Sequence, residues 1–157
     1  GYPALASTSA AQGRQAMQHA LQHPGPAGKA DSLPFAIYTI PEIAFVGATE
    51  KDLQAKGIDY ITGYGRYEMN PRGQILEDHE GMLKLLFESG SMRLLGAHLI
   101  GSQAAELIHI GHAFLRQGAT AEWIAETLFN YPTLSDLYRH AAWEALTRKR
   151  RPSLHSG

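Results

Sequence analysis

The stretch "GMLKLLFESGSMRLLGAHLIG", residues 81–101, decides the fold. Two apolar runs flank "ESGS", and Gly90 is the natural turn residue, so the segment predicts a β-hairpin. The residues that follow, "SQAAELIHIGHAFLRQG", switch from strand character to a helical pattern from Ser102 to about Gln117, closed by Gly118. Ser102 is expected to cap that helix. The helix is apolar around much of its circumference, which predicts that it is buried or meets a partner.

Outward from the hairpin the same logic holds. Upstream, "FAIYTI" and "IAFVG" are β-branched and aromatic, with Pro41 at a break or an edge. "ATEKDLQAKG" predicts a short helix with Thr49 and Asp52 as capping pair and Gly57 at its end. "DYITGYGRYEM" reads as a strand, "NPRGQ" as a turn, and "ILEDHE" as a short strand or loop. Downstream, Thr120 opens a short helix. A last helix is predicted from Thr133 to about Arg148, with Leu134, Leu137, Tyr138, Ala141, Ala142 and Ala145 on one stripe. Strands first and helices afterwards predict an α+β domain, a mostly antiparallel sheet flanked by helices.

At the other end, "LASTSAAQGRQAMQHALQH" predicts a helix of small residues with Ser7 or Thr8 as cap. The proline- and glycine-rich "HPGPAGKADSLP" after it is the one clear linker. The 157 residues suit one domain with an appendage, and 44% hydrophobic against 18% charged residues mark a globular chain. With no cysteine, disulfides, thiolate metal sites and a cysteine nucleophile are excluded within the chain. A net charge of −1 argues against a nucleic-acid binder, and "RKRR" at 148–151 reads as a solvated tail. No apolar run is long enough to span a membrane. The start lacks the charged and apolar regions of a signal peptide, and it begins on glycine, as a fragment or a processed product does.

Candidate chemistry is sparse. His109 and His112, with Glu106 one turn back, share a helix face, but their apolar context favours packing over a metal site, and no metal is expected. "GYGR" lacks the glycine spacing of a phosphate-binding loop and reads as a turn, and no G-x-S-x-G elbow is present. "FNYPTLSD", residues 129–136, matches a capping box: Thr133 Oγ would accept from the Asp136 backbone N–H, with the acid at the positive end of the helix.

Four blocks in order carry a resemblance: "GYPALASTSAAQGRQA", "YTIPEIAFVGATEKDL", "LLGAHLIGSQAAELIHIG" and "FNYPTLSDLYRHAA". Over nearly the whole chain to about Arg148 the sequence resembles the flavin-dependent pyridine nucleotide-disulfide oxidoreductases. That resemblance implies residues 1–34 as the end of an FAD-binding region, 35–150 as a C-terminal dimerisation (interface) domain, and 151–157 as a tail. It implies a homodimer, FAD held mostly by sequence outside this chain, NAD(P) as substrate, and a cytoplasmic location. The helix N-terminus at Leu5 and Ala6 would face the flavin's pyrimidine end, where free N–H groups suit an electron-rich edge. The fragment alone is expected to be inactive.

Disulfide-reducing members of the family usually carry His-Pro-Thr-x-x-Glu near the C-terminus, with the histidine as acid/base for thiol chemistry in the partner subunit and the glutamate orienting it. Here Tyr131 and Asp136 stand at those two positions. A phenol with a reference pKa of roughly 10 cannot replace a group titrating near neutrality. The resemblance therefore points to the transhydrogenase branch, in which hydride passes between NADPH and NAD through FAD and no thiol base is needed. Tyr131 would approach the other subunit's flavin and shape its pocket; otherwise it is a loop aromatic packed under Pro132. No residue is assigned a certain catalytic role. The alternatives are an interface domain of dihydrolipoamide dehydrogenase or another disulfide reductase, or a stand-alone dimerising module without catalysis.

Overall fold

The computed structural model describes residues 5–23 and 33–150. It divides the chain into two compact units, Gly1–Asp31 and Ser32–Gly157. In the first unit, helix α1 spans Ala6–Ala20. Its N-cap is Leu5 in an extended conformation, with no side chain on the free N–H groups, and Ser7 and Thr8 lie inside the helix. The expected hydroxyl cap is therefore absent. The segment expected as a linker lies, from Pro24 to Ser32, outside the described residues, and so do the start before Leu5 and residues 151–157.

The second unit is built on one five-stranded sheet: β1 (Phe35–Ile37), β2 (Ile43–Gly47), β3 (Tyr60–Arg66), β4 (Met82–Glu88) and β5 (Leu94–Ile100). The order is β1-β2-β5-β4-β3 and every pairing is antiparallel. The expected hairpin is β4–β5, with Leu85 opposite Ala97. Its turn differs from expectation. The left-handed residue is Met92, at φ +56°, and not Gly90; the Met92 side chain is fully buried, so packing compensates the backbone cost.

Register separates the two faces. The row Gly63, Leu85, Ala97, Val46 and the row Gly65, Leu83, Leu99, Ala44 point to one side. Apart from the two glycines, whose place is taken by a helix backbone, these are apolar side chains at 0–3% exposure. On this side lie α4 (Ala104–Gln117) and α6 (Leu137–Arg150), with the short α5 (Ala121–Glu126) packed against α6. Gly63 and Gly65 lie within β3, as the strand reading of "DYITGYGRYEM" expects and the turn reading of "GYGR" does not. A Cβ on Gly63 would stand 2.0 Å from the Ala141 carbonyl oxygen, and one on Gly65 2.5 Å from that of Leu137. The glycines let the backbone of α6 rest directly on β3. All six residues of the predicted C-terminal stripe are buried.

Helix α4 runs its apolar side into this core and shows Glu106, His109, Ala113 and Arg116 on its exposed line. It is more amphipathic than its sequence suggested. Ser102 does not cap it. The Ala105 N–H donates to Glu42 Oε2 (3.0 Å), so a carboxylate distant in sequence satisfies a free N–H of the first turn, and just before the helix the Ser102 N–H donates to Asp78 Oδ2 (3.0 Å). Gly118 closes the helix at φ +64°, as predicted. Its centre holds an unusual contact. The Tyr138 hydroxyl donates to the Leu107 carbonyl (2.9 Å) and accepts from the Gly111 N–H (3.1 Å), the i−4 and i groups of one helical turn.

On the sheet's other face, Phe35, Phe45, His98, Lys84 and Tyr64 form a row across all five strands. Phe35 and Phe45 stack at 5.1 Å. Helix α2 (Glu50–Ala55) borders this row through Glu50, which accepts from Lys84 Nζ at 2.5 Å. Its capping box, Thr49 with Asp52, forms in full as predicted, and Gly57 follows at φ +64°. The "NPRGQ" stretch folds as helix α3 (Pro71–Ile75) and not as a turn. "RKRR" is likewise helical through Arg150, with Arg148 bonded to Glu144 and Thr62 and Lys149 to the Gly90 carbonyl. No helix among the described residues is long and apolar enough to cross a membrane.

Candidate functional site

The site is the connection between α5 and α6. Its two ends are fastened by apolar side chains. Phe129 packs edge-on against Phe114, with ring centroids 6.4 Å apart, and Leu134 is buried. Between these anchors Asn130, Tyr131 and Pro132 are exposed, and Tyr131 stands 71% open to solvent. The expectation that Tyr131 packs under Pro132 is therefore not met. The phenol projects from the domain on a short, doubly anchored loop.

The hydrogen bonds of this loop correct the expected capping box. Residues Leu134–Asp136 form a single turn of 3₁₀ helix, and α6 begins only at Leu137. Thr133 is extended (φ −140°) and makes no side-chain cap; its hydroxyl turns back and donates to the Asn130 carbonyl at 2.7 Å. In the tighter 3₁₀ turn no first-turn N–H donates to the Thr133 hydroxyl, whose own proton goes back to a carbonyl.

Asp136 is also committed elsewhere. Its side chain is 5% exposed. Oδ1 accepts from Arg139 Nε at 2.6 Å and Oδ2 from Arg139 Nη2 at 2.7 Å, a bidentate grip, while His140 Nε2 lies 3.2 Å from Oδ2. The hydrogen bonds it donates to Asp136 raise the Arg139 pKa above its ordinary value. The acid at position 136 thus addresses its own helix and not residue 131.

Arg139 and His140 were absent from the sequence reading, although their i+3 and i+4 spacing from Asp136 is a legible signal. Asn70 was missed as well. It is fully buried; its Oδ1 accepts from the N–H groups of Arg72 (2.9 Å) and Gly73 (3.1 Å), and its Nδ2 donates to the Thr133 carbonyl (3.1 Å). The Asn-Pro dipeptide signals the cap, but nothing in the sequence signals the long-range bond.

The other candidates lie apart. At Leu5 and Ala6 the first helical bond runs from the Ser9 N–H to the Leu5 carbonyl, which leaves the preceding N–H groups without an intrahelical acceptor. Glu106 and His109 are exposed on α4, and among the described residues no group of three or more His, Asp or Glu could hold a metal.

Comparison with known proteins agrees with this architecture. Residues 33–142 match the family model of the pyridine nucleotide-disulphide oxidoreductase dimerisation domain. Soluble pyridine nucleotide transhydrogenase of Mycobacterium tuberculosis is 44% identical over 150 residues, covering 96% of this chain and 32% of that protein. The protein of the same name from Pectobacterium atrosepticum is 42% identical over 151 residues, covering 94% and 32%. This chain thus spans about a third of the length of the curated relatives it matches. Among solved structures, LpdA from M. tuberculosis superposes with a TM-score of 0.81 at 29% identity, over 91% of this chain and 31% of LpdA. The HOCl-induced flavoprotein disulfide reductase RclA from Escherichia coli shares the fold, with a TM-score of 0.74 at 22% identity over 82% of this chain and 30% of RclA. With its antiparallel sheet, α4 and α6 packed on one face and its exposed Tyr-Pro loop, the chain belongs to the pyridine nucleotide-disulphide oxidoreductase dimerisation-domain family.

Proposed function

We propose that this chain is the dimer-forming third of a flavin-dependent soluble transhydrogenase, a cytoplasmic homodimer that passes hydride between NADPH and NAD. The observation that carries the reading is the state of residues 131 and 136. Tyr131 is exposed on an anchored loop, and Asp136 is gripped by Arg139 and His140. The pair therefore does not reproduce a histidine oriented by an acid. The names of the relatives at 42–44% identity support the same branch.

In this proposal residues 1–34 complete the flavin-binding part, residues 35–150 form the interface domain and 151–157 a tail. Bound FAD supplies the carrier through which hydride moves. The chain's own residues bind and shape. The free N–H groups at the start of α1, beside Leu5 and Ala6, suit the electron-rich pyrimidine edge of a flavin. Tyr131 enters the partner subunit's flavin pocket, where its ring excludes water and narrows the nicotinamide approach. Its phenol moves no proton.

The test uses the flavoprotein that contains this domain. Reduction of NAD by NADPH is expected, with no turnover of lipoamide or glutathione disulfide. Disulfide reduction at a comparable rate overturns the proposal. Tyr131→Phe is expected to retain hydride transfer within about tenfold; abolition of transfer would refute a shaping role.

A further inference from the structure

We infer that Asn70 is a positioning residue for Tyr131, a role that rests on the proposed function of the Tyr131 loop. Asn70 is fully buried, yet it belongs to a segment 63 residues away in sequence from the carbonyl it holds. A buried amide has four hydrogen-bonding capacities to satisfy. Here Oδ1 takes two N–H groups at the start of α3, and Nδ2 gives one proton to Thr133 O. One side chain therefore ties a helix start to the base of the exposed loop.

The anchor is firm at its own end. Asn70 N–H donates to the Tyr67 carbonyl at 2.9 Å, and a Cβ on Gly73 would stand 2.2 Å from that same oxygen, so α3 sits directly on the Tyr67 backbone. Tyr67 is itself fully buried and its hydroxyl donates to the Ser102 carbonyl at 2.9 Å. At the loop end, Thr133 is held twice. Its carbonyl receives the Asn70 amide and its hydroxyl closes onto Asn130 O, immediately before Tyr131. The chain from Asn130 to Thr133 is thereby fixed from below while Tyr131 stays exposed. A ring that must meet a cofactor across a subunit boundary needs such a base, because a displacement of about 1 Å can cost up to about 100-fold in rate.

The test is Asn70→Asp. This change keeps an acceptor for the α3 cap and replaces the amide donor with an oxygen facing the Thr133 carbonyl oxygen. The seven tyrosines are labelled with 3-fluorotyrosine, and the Tyr131 signal in the ¹⁹F spectrum is assigned by its loss in Tyr131→Phe. Thr49→Ala, which removes the α2 cap away from the loop, serves as the control for general destabilisation. Well below the unfolding transition, Asn70→Asp is expected to move or broaden the Tyr131 signal, and Thr49→Ala to leave it in place. In the flavoprotein containing this domain, Asn70→Asp is expected to lower kcat by about tenfold or more with a smaller change in KM. A Tyr131 signal unchanged in folded Asn70→Asp overturns the inference, whatever the melting temperature does. A Tyr131 signal that moves while turnover does not would uphold the positioning by Asn70 and refute the placement of Tyr131 at the flavin.

Discussion

Replacing Gly111 by alanine reverses the usual sign of a glycine-to-alanine change in a helix. In an unconstrained helix interior the substitution stabilises by about 1 kcal/mol, through lower chain entropy in the unfolded state and better helix propensity. At Gly111 the added methyl would stand 2.9 Å from the Ala97 Cβ and 2.9 Å from the Tyr138 hydroxyl oxygen. Neither neighbour yields easily. Ala97 is a central strand residue with no rotamer to change. The Tyr138 oxygen is locked by one hydrogen bond given and one received, at 0% exposure. Overpacking of this kind costs about 1–3 kcal/mol, and two close contacts against fixed atoms place the cost near the upper end. The net expectation is destabilisation by about 1–2 kcal/mol, a fall of roughly 3–6 °C for a domain of this size. Urea unfolding followed by tryptophan fluorescence measures it, and Gly111→Ala in a Tyr138→Phe background locates the cause. If the hydroxyl is the obstacle, the cost of the alanine falls in that background. A rise in the unfolding midpoint of the single variant, with unchanged slope, would refute the packing argument.

Three further outcomes are expected. Gly63→Ala places a methyl 2.0 Å from the Ala141 carbonyl, a backbone atom that cannot turn aside, so the domain should lose more than about 3 kcal/mol and express largely unfolded; a melt within a few degrees of the parent would contradict the close contact. Asp136→Asn should cost about 1–2 kcal/mol by chemical denaturation, less than the roughly 3–5 of a fully buried pair because Arg139 is about a third exposed; no loss would mean that Arg139 finds another partner at once. His98 is held below its ordinary value of 6.5, chiefly by burial. The unfolded chain therefore takes up this proton first as pH falls, so stability drops from about pH 6.5 downward and levels off below the folded pKa. His98→Gln should flatten the slope of stability against pH between about pH 7 and pH 5, and equal slopes in the two proteins would remove His98 as its source.

The sheet was legible because its strands alternate or run apolar between clear turns, and the C-terminal stripe because its spacing repeats without interruption. The helix starts were read less well, for one physical reason. A sequence pattern shows only local caps. It found Thr49 with Asp52, but at α4 a first-turn N–H is taken not by the hydroxyl of Ser102 but by Glu42, which arrives from another part of the chain. The same limit applies at the site. The exposed Tyr131 and the buried Asp136 occupy positions that the resemblance had marked, yet the grip of Arg139 and the reach of Asn70 depend on a 3₁₀ turn and on tertiary contact. The strand carrying Gly63 and Gly65 was legible, but the use of the paired glycines was not, because it lies in the absence of a side chain, which a pattern of side chains cannot express.

Those two glycines have a consequence for how the domain holds its shape. Between most helices and sheets the spacing depends on side chains, and a changed residue shifts the layers by fractions of an ångström. Between α6 and β3 the carbonyl groups of Leu137 and Ala141 bear on bare strand backbone, so the separation is fixed by atoms common to every residue. The strand acts as a mechanical datum for the start of α6, and the loop carrying Tyr131 leads directly into that helix. Substitutions elsewhere in the core can accumulate without moving this reference surface, and the place where the loop leaves the domain keeps its coordinates.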